Sequence, residues 1–157
     1  MPLFLKWALV YEHPDEHSLF LGRATPRSLA PSTPGQPLAV HNVPTRYGRV
    51  GFTLACVPSL SNCTANVSIP DSWAQADGGG PSAWRPPPGG LYLRVRLPGG
   101  RPLVGAQSSS GWRPTPLFHG SECNVTRDCV WFSPSWLSEK AARTALQNIT
   151  LWFDERK

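Results

Sequence analysis

Charge is scarce in this chain: Asp, Glu, Lys and Arg make up 16% of its 157 residues, well below the quarter or so typical of soluble domains. No block of five or six like charges occurs, which excludes the acidic or basic tails that self-repel and stay solvated. No apolar run approaches the roughly 18 residues that a helical membrane span requires. An internal repeat is missing too. Gly-x-Ser-x-Gly is absent, and no Gly-rich stretch ends in Gly-Lys-Ser/Thr, so neither a nucleophile elbow nor a phosphate-cradling loop is encoded. The cysteines never take the C-x2-C spacing of zinc and redox sites. Neither a metal nor a cofactor is expected.

What is present is Pro, Gly and aromatic rings. Pro 18 and Gly 14 together make about a fifth of the chain, which argues against long helices and coiled coils. Seven Trp, six Phe and three Tyr within a 40% hydrophobic composition supply enough apolar material to offset ordering entropy, so disorder is excluded as well. The length suits one domain with one core. The net charge of +5 permits attraction to a polyanion, but no nucleic-acid motif accompanies it. Arg94 and Arg96 alternate with Val95 and Leu97, the pattern of a solvated strand face.

The asparagines point to a compartment. Four of the five begin an N-x-Ser/Thr triplet, at Asn62, Asn66, Asn124 and Asn148, where chance predicts fewer than one. Four cysteines fall in two close pairs, Cys56 with Cys63 and Cys123 with Cys129. Secretory folding with disulfides and N-glycans accounts for both. Met1–Tyr11 does not read as a signal peptide: Lys6 interrupts the first apolar run, and Glu12-His13-Pro14-Asp15-Glu16-His17 follows at once. The expectation is therefore a secreted module, the C-terminal part of a longer protein.

Period-two alternation dominates the pattern. Val50, Phe52, Leu54 and Cys56 share one phase; Cys63, Ala65, Val67 and Ile69 share another; Leu91, Leu93, Val95 and Leu97 oppose Tyr92, Arg94 and Arg96; Ile149, Leu151 and Phe153 oppose Asn148, Thr150 and Trp152. These read as antiparallel strands wet on one face. Asn62, Asn66 and Asn148 fall on the solvent phase, where a glycan leaves the core intact. Leu3–Tyr11 and Ser18–Ala24 read as a hairpin around His13-Pro14-Asp15-Glu16, and 76–90 as a Pro/Gly-rich loop. One helix is expected, with Ser133 as cap, Pro134 at its first position and Ser138–Gln147 as its body. The fold class is all-β: a single antiparallel β-sandwich or jelly roll over 1–157, with long Pro/Gly-rich loops and at most one short helix. Four cysteines allow three pairings. Local bridges are the expectation, because Cys56 and Cys63 share the inward phase across one short connection and Cys123–Cys129 encloses few residues. Asn62 abuts Cys63 and Asn124 abuts Cys123, so disulfide closure competes with glycan addition at those two sites.

Leu19-Phe20-Leu21-Gly22-Arg23-Ala24-Thr25-Pro26-Arg27, then Val43-Pro44-Thr45-Arg46-Tyr47-Gly48-Arg49-Val50, then Pro88-Gly89-Gly90-Leu91-Tyr92-Leu93-Arg94-Val95-Arg96-Leu97-Pro98, together resemble the C-terminal β-sandwich of large glycoside-hydrolase-like proteins. In those proteins the sandwich follows a helical toroid that holds the catalytic acids. The resemblance covers roughly residues 3–107 and implies a non-catalytic accessory module supporting an upstream catalytic domain of the same parent chain.

No catalytic residue is assigned within the chain itself, whether or not the parent protein is an enzyme. His13 and His17 flank Asp15 and Glu16 in a turn, and adjacent turn carboxylates do not face each other across the gap a sugar needs. Indoles in the Pro/Gly-rich loops provide the alternative, a stand-alone carbohydrate-binding module with polysaccharide as partner. Trp73, Trp84 and Trp112 would stack on sugar rings while Arg85 or Arg113 bonds hydroxyls or carboxylates. Trp7, Trp131 and Trp136 are expected in the core or at a domain interface, and Trp152 on the outward face.

Overall fold

A computed structural model describes residues 3–27, 36–75, 85–114 and 118–154. Two sheets build it. The first orders four strands as β1 (Val10–Glu12), β2 (Leu19–Leu21), β6 (Leu91–Arg94) and β8 (Cys129–Phe132). The second orders β3 (Leu38–Thr45), β4 (Gly48–Cys56), β5 (Asn62–Ser68), β9 (Ile149–Phe153) and β7 (Leu103–Ser108). Among the described residues four short α-helices accompany them, α1 (Leu3–Leu9), α2 (Gly120–Thr126), α3 (Pro134–Leu137) and α4 (Lys140–Ala145). The all-β, sandwich-like class stands, with more helix than the single one expected.

The alternation read from the sequence is the alternation that buries the core. Val50, Phe52 and Leu54 of β4, Cys63, Ala65 and Val67 of β5, and Ile149, Leu151 and Phe153 of β9 pack with Leu19, Leu21, Leu91, Leu93, Val130 and Phe132 of the first sheet in one cluster. The β3–β4 hairpin turns at the Thr-Arg-Tyr-Gly segment. There the Thr45 hydroxyl donates to Gly48 O at 2.6 Å and accepts from the Tyr47 N–H at 3.1 Å, the side-chain-to-backbone pattern that stabilises tight turns. Cys56 and Cys63 lie opposite each other in register and are joined; Cys123 and Cys129 are joined as well, tying α2 to β8. Both local pairings therefore form.

Three expectations are corrected. Leu3–Leu9 is helical and only Val10–Glu12 pairs with β2; a short apolar run is compatible with either state, and pattern alone does not separate them. The β2–β6 pair is parallel, Leu19 opposite Leu91 through Leu21 opposite Leu93, so the first sheet is mixed. Its outer face is also dry near the centre. All four residues of β6 are buried, because Phe20, Tyr92, Cys123 and Cys129 form a second cluster beneath α2, with Tyr11, Phe118 and Trp131 around it. Phe20 and Tyr92 stack with ring centres 4.4 Å apart. Arg94, expected on a solvated face, is sealed in beside them.

The expected helix after Ser133 is split into α3 and α4. Ser133 caps α3 through its hydroxyl, which accepts from the Trp136 N–H at 3.3 Å, and Pro134 occupies the first turn. Loop residues 76–84, including Trp84, lie outside the described residues. The end of that loop is fixed by contact: at Gly89 a Cβ would stand 2.2 Å from Glu16 O, and at Gly90, whose φ is +87°, it would stand 2.4 Å from Trp131 Nε1. Only glycine fits this crossing.

Candidate functional site

The loop tryptophans do not assemble as the sequence suggested. Trp73, in a 3-10 turn at Asp71–Gln75, is 0% exposed and its indole N–H donates to Tyr47 O at 2.8 Å. It is a core residue, because the turn after β5 carries it over the β3–β4 hairpin, and it has no face to offer a ligand. Trp84 lies outside the described residues. Arg85 is exposed. Trp112 is half-buried and belongs to a different group.

That group forms an aromatic shelf. Trp112 stacks on Trp136 with centres 4.3 Å apart and 21° between planes, and both lean on buried Phe132, at 5.4 and 5.7 Å. Trp112, Arg113, Trp131, Ser133 and Trp136 line a small cleft of about 140 Å³. Trp131 is anchored by its indole N–H, which donates to Gly89 O at 3.2 Å, and His119 stacks on it at 4.0 Å. Arg113 reaches Gln107 Oε1 at 3.1 Å and is exposed. Three indoles, an imidazole and a guanidinium at one edge can hold the apolar face of a pyranose and bond its hydroxyls or a carboxylate. Trp131 and Trp136, expected in the core or at a domain interface, are half-buried, Trp136 packed against the main core and Trp131 against the second cluster. The outward phase of Trp131, between inward Val130 and Phe132, is the signal that could have identified it.

A larger cleft of about 500 Å³ opens on the outer face of the five-stranded sheet, lined by His41, Thr53, Asn66, Asp71, Arg143 and Gln147 among others. Arg143 pairs with Asp71 across it. The Asn66 carboxamide is engaged on both sides: its oxygen accepts from the Asn148 N–H at 2.6 Å, and its nitrogen donates to Thr53 Oγ1 at 3.4 Å. Asn62 is half-buried on the same strand, while Asn124 and Asn148 are exposed.

At the other end, α1 presents Phe4, Leu5 and Trp7 to solvent, with Phe4 73% and Trp7 55% exposed. Beside it, Arg23 lies over the Tyr11 ring at 4.2 Å and approaches Glu122 at 3.5 Å. Asp15 and Glu16 are exposed in the β1–β2 turn, where the Glu16 N–H donates to His13 Nδ1 at 3.2 Å. Among the described residues, no group of three or more His, Cys, Asp or Glu side chains is placed to hold a metal ion, and no helix is long and apolar enough to cross a membrane. Burial raises the pKa of two tyrosines. Burial pushes Tyr92 up to about 12, with the Glu16 carboxylate adding to it. Tyr47 is also raised, chiefly by burial, against the opposing charge of Arg46.

Compared with protein-family models, with curated proteins and with solved structures, the chain matches none of them.

Proposed function

We propose that the chain is a non-catalytic accessory module of a secreted, glycoside-hydrolase-like protein, packing against and supporting a catalytic domain of the same parent chain. The observation that carries this reading is the apolar face of α1, where Phe4, Leu5 and Trp7 stand uncovered although the sandwich behind them has a complete core of its own. An exposed aromatic group rimmed by Arg23 and Glu122 has the character of an interface between domains. Two disulfides suit an oxidising compartment. Sequencing full-length transcripts tests the reading: an open frame upstream of codon 1 encoding a helical domain with paired carboxylates is the expected result, and a stop codon directly before Met1 sinks it.

The aromatic shelf favours a second reading, a carbohydrate-binding module acting through Trp112, Trp131 and Trp136. Titrating a polysaccharide panel while following tryptophan emission tests it. A saturable shift is expected, and a flat response to every glycan at millimolar concentration counts against it.

A further inference from the structure

Trp152 faces outward from β9, the strand next to the β7 edge of the five-stranded sheet, and is 38% exposed. Its neighbours are fixed by register. Asn62 of β5 stands directly opposite on one side and Gly105 of β7 on the other. The bond flanking the Asn62–Trp152 pair runs from the Phe153 N–H to Ser61 O at 2.9 Å, which makes this a non-hydrogen-bonded pair. In such pairs the Cα atoms approach to about 4.5 Å and the side chains are at their closest. On the far side, a Cβ at Gly105 would stand 3.3 Å from Trp152 Cε3, so glycine there gives the indole room to lean over β7 while it stays 38% exposed.

Asn62 opens the triplet Asn62-Cys63-Thr64. We propose that Asn62 carries an N-linked glycan whose first N-acetylglucosamine seats on the open face of the Trp152 indole. The proposal rests on the secreted reading above and adds a role for one sugar. A pyranose presents axial C–H groups on one face, and an indole is the side chain best suited to receive them. The linkage joins Asn62 Nδ2 to C1 of the sugar while the C1–O bond to a lipid-diphosphate donor breaks; Nδ2 gives up one of its two protons and no electrons are exchanged. Asn66 is a poorer candidate for such docking, since Thr53 and the Asn148 backbone already engage its carboxamide. The sugar covers apolar surface that the sheet leaves wet, and the protein holds the glycan in one orientation.

The test uses the full chain secreted from a eukaryotic host, with glycopeptide mass spectrometry for occupancy and NMR of the N-acetyl methyl groups for stacking, since an indole ring current displaces a methyl lying over it. One upfield-shifted N-acetyl methyl is expected. It should survive trimming of the glycan to a single N-acetylglucosamine and vanish on complete deglycosylation. It should also vanish in Thr64→Val, which removes the triplet but keeps Asn62 and Cys63, and in Trp152→Leu with Asn62 still occupied. An occupied Asn62 whose methyl resonances are all unshifted, or an upfield methyl that persists in Trp152→Leu, overturns the proposal and leaves the secreted reading standing. A bare Asn62 with glycans at other sites does the same. Bare asparagines at all four triplets overturn both.

Discussion

The Nε atom of Arg94 lies 3.0 Å from each carboxylate oxygen of Asp128, and the two side chains are 8% and 9% exposed. Arg94 also meets Glu122 through Nη1. Asp128 accepts from Thr126 Oγ1 at 2.5 Å, while its backbone oxygen accepts from the Val95 N–H at 2.7 Å. One ion pair thus joins the C-terminal end of β6 to the segment between α2 and β8, beside the Cys123–Cys129 bridge that ties α2 to β8.

Breaking that pair leaves a buried charge only partly compensated, since Asp128 keeps Arg96 at 3.9 Å and Arg94 keeps Glu122. Arg94→Leu or Asp128→Asn alone is expected to lower unfolding free energy by at most about 3–5 kcal/mol, the cost of orphaning a buried ion completely. Glu122→Gln, whose side chain is 41% exposed, should cost less than about 1 kcal/mol. The double variant Arg94→Leu/Asp128→Asn should be more stable than the sum of its parts. Urea unfolding at neutral pH measures all four. If Arg94→Leu proved as mild as Glu122→Gln, the pair would not be the buried link described.

Tyr92 sets an alkaline limit. Its phenol pKa is raised to about 12, first by burial and then by Glu16, whereas in an unfolded chain it lies near 10. The folded state therefore holds this proton more tightly. The associated stability is complete below pH 10 and is lost as pH rises from 10 through about 12. The urea midpoint should fall over that window, and Tyr92→Phe should flatten the fall.

The two bridges should behave as local staples. Each closes a short loop, with sequence separations of 7 and 6, so the chain-entropy argument assigns about 2–3 kcal/mol to each. Cys56→Ala/Cys63→Ala and Cys123→Ala/Cys129→Ala should both remain folded at 25 °C with lower urea midpoints. Peptide mapping without reduction should recover Cys56–Cys63 and Cys123–Cys129, and a crossed pair such as Cys56–Cys129 contradicts the fold.

Legibility in the sequence tracked how many faces of a strand are covered. In β4, β5 and β9 one face meets the core and the other meets water, so alternation of residue type reported burial directly, and even the outward Trp152 was readable. In β6 both faces are covered, and Tyr92 and Arg94 looked like wet-face residues because polarity signals exposure only when no partner is at hand. Asp128 and Glu122 arrive from more than twenty-five residues away, as sequence separations of 34 and 28 show, and no local pattern announces them. The same limit governs the indoles. Trp73 sits among polar loop residues but is pulled inward by tertiary contact, whereas Trp131 and Trp136 come from recognisable elements and end half-buried, Trp136 against the main core and Trp131 against the second cluster.

That exchange of roles separates structure from binding experimentally. Trp73→Phe deletes the bond to Tyr47 O and part of a fully buried side chain, so it should cost on the order of 1–3 kcal/mol of stability. Sugar affinity, if the shelf binds sugars, should be untouched in the folded fraction. Trp112→Ala removes a half-buried ring that stacks on Trp136. It should weaken glycan binding roughly 2- to 10-fold, since an aromatic stack of about 0.5–1.5 kcal/mol converts to that ratio. Arg113→Ala should weaken binding of acidic sugars more than neutral ones, because only the former present a carboxylate to the guanidinium. Urea midpoints and fluorescence titrations on the three variants read both quantities. A Trp73→Phe protein that kept its stability and lost sugar binding would return the site to the loops and away from the shelf.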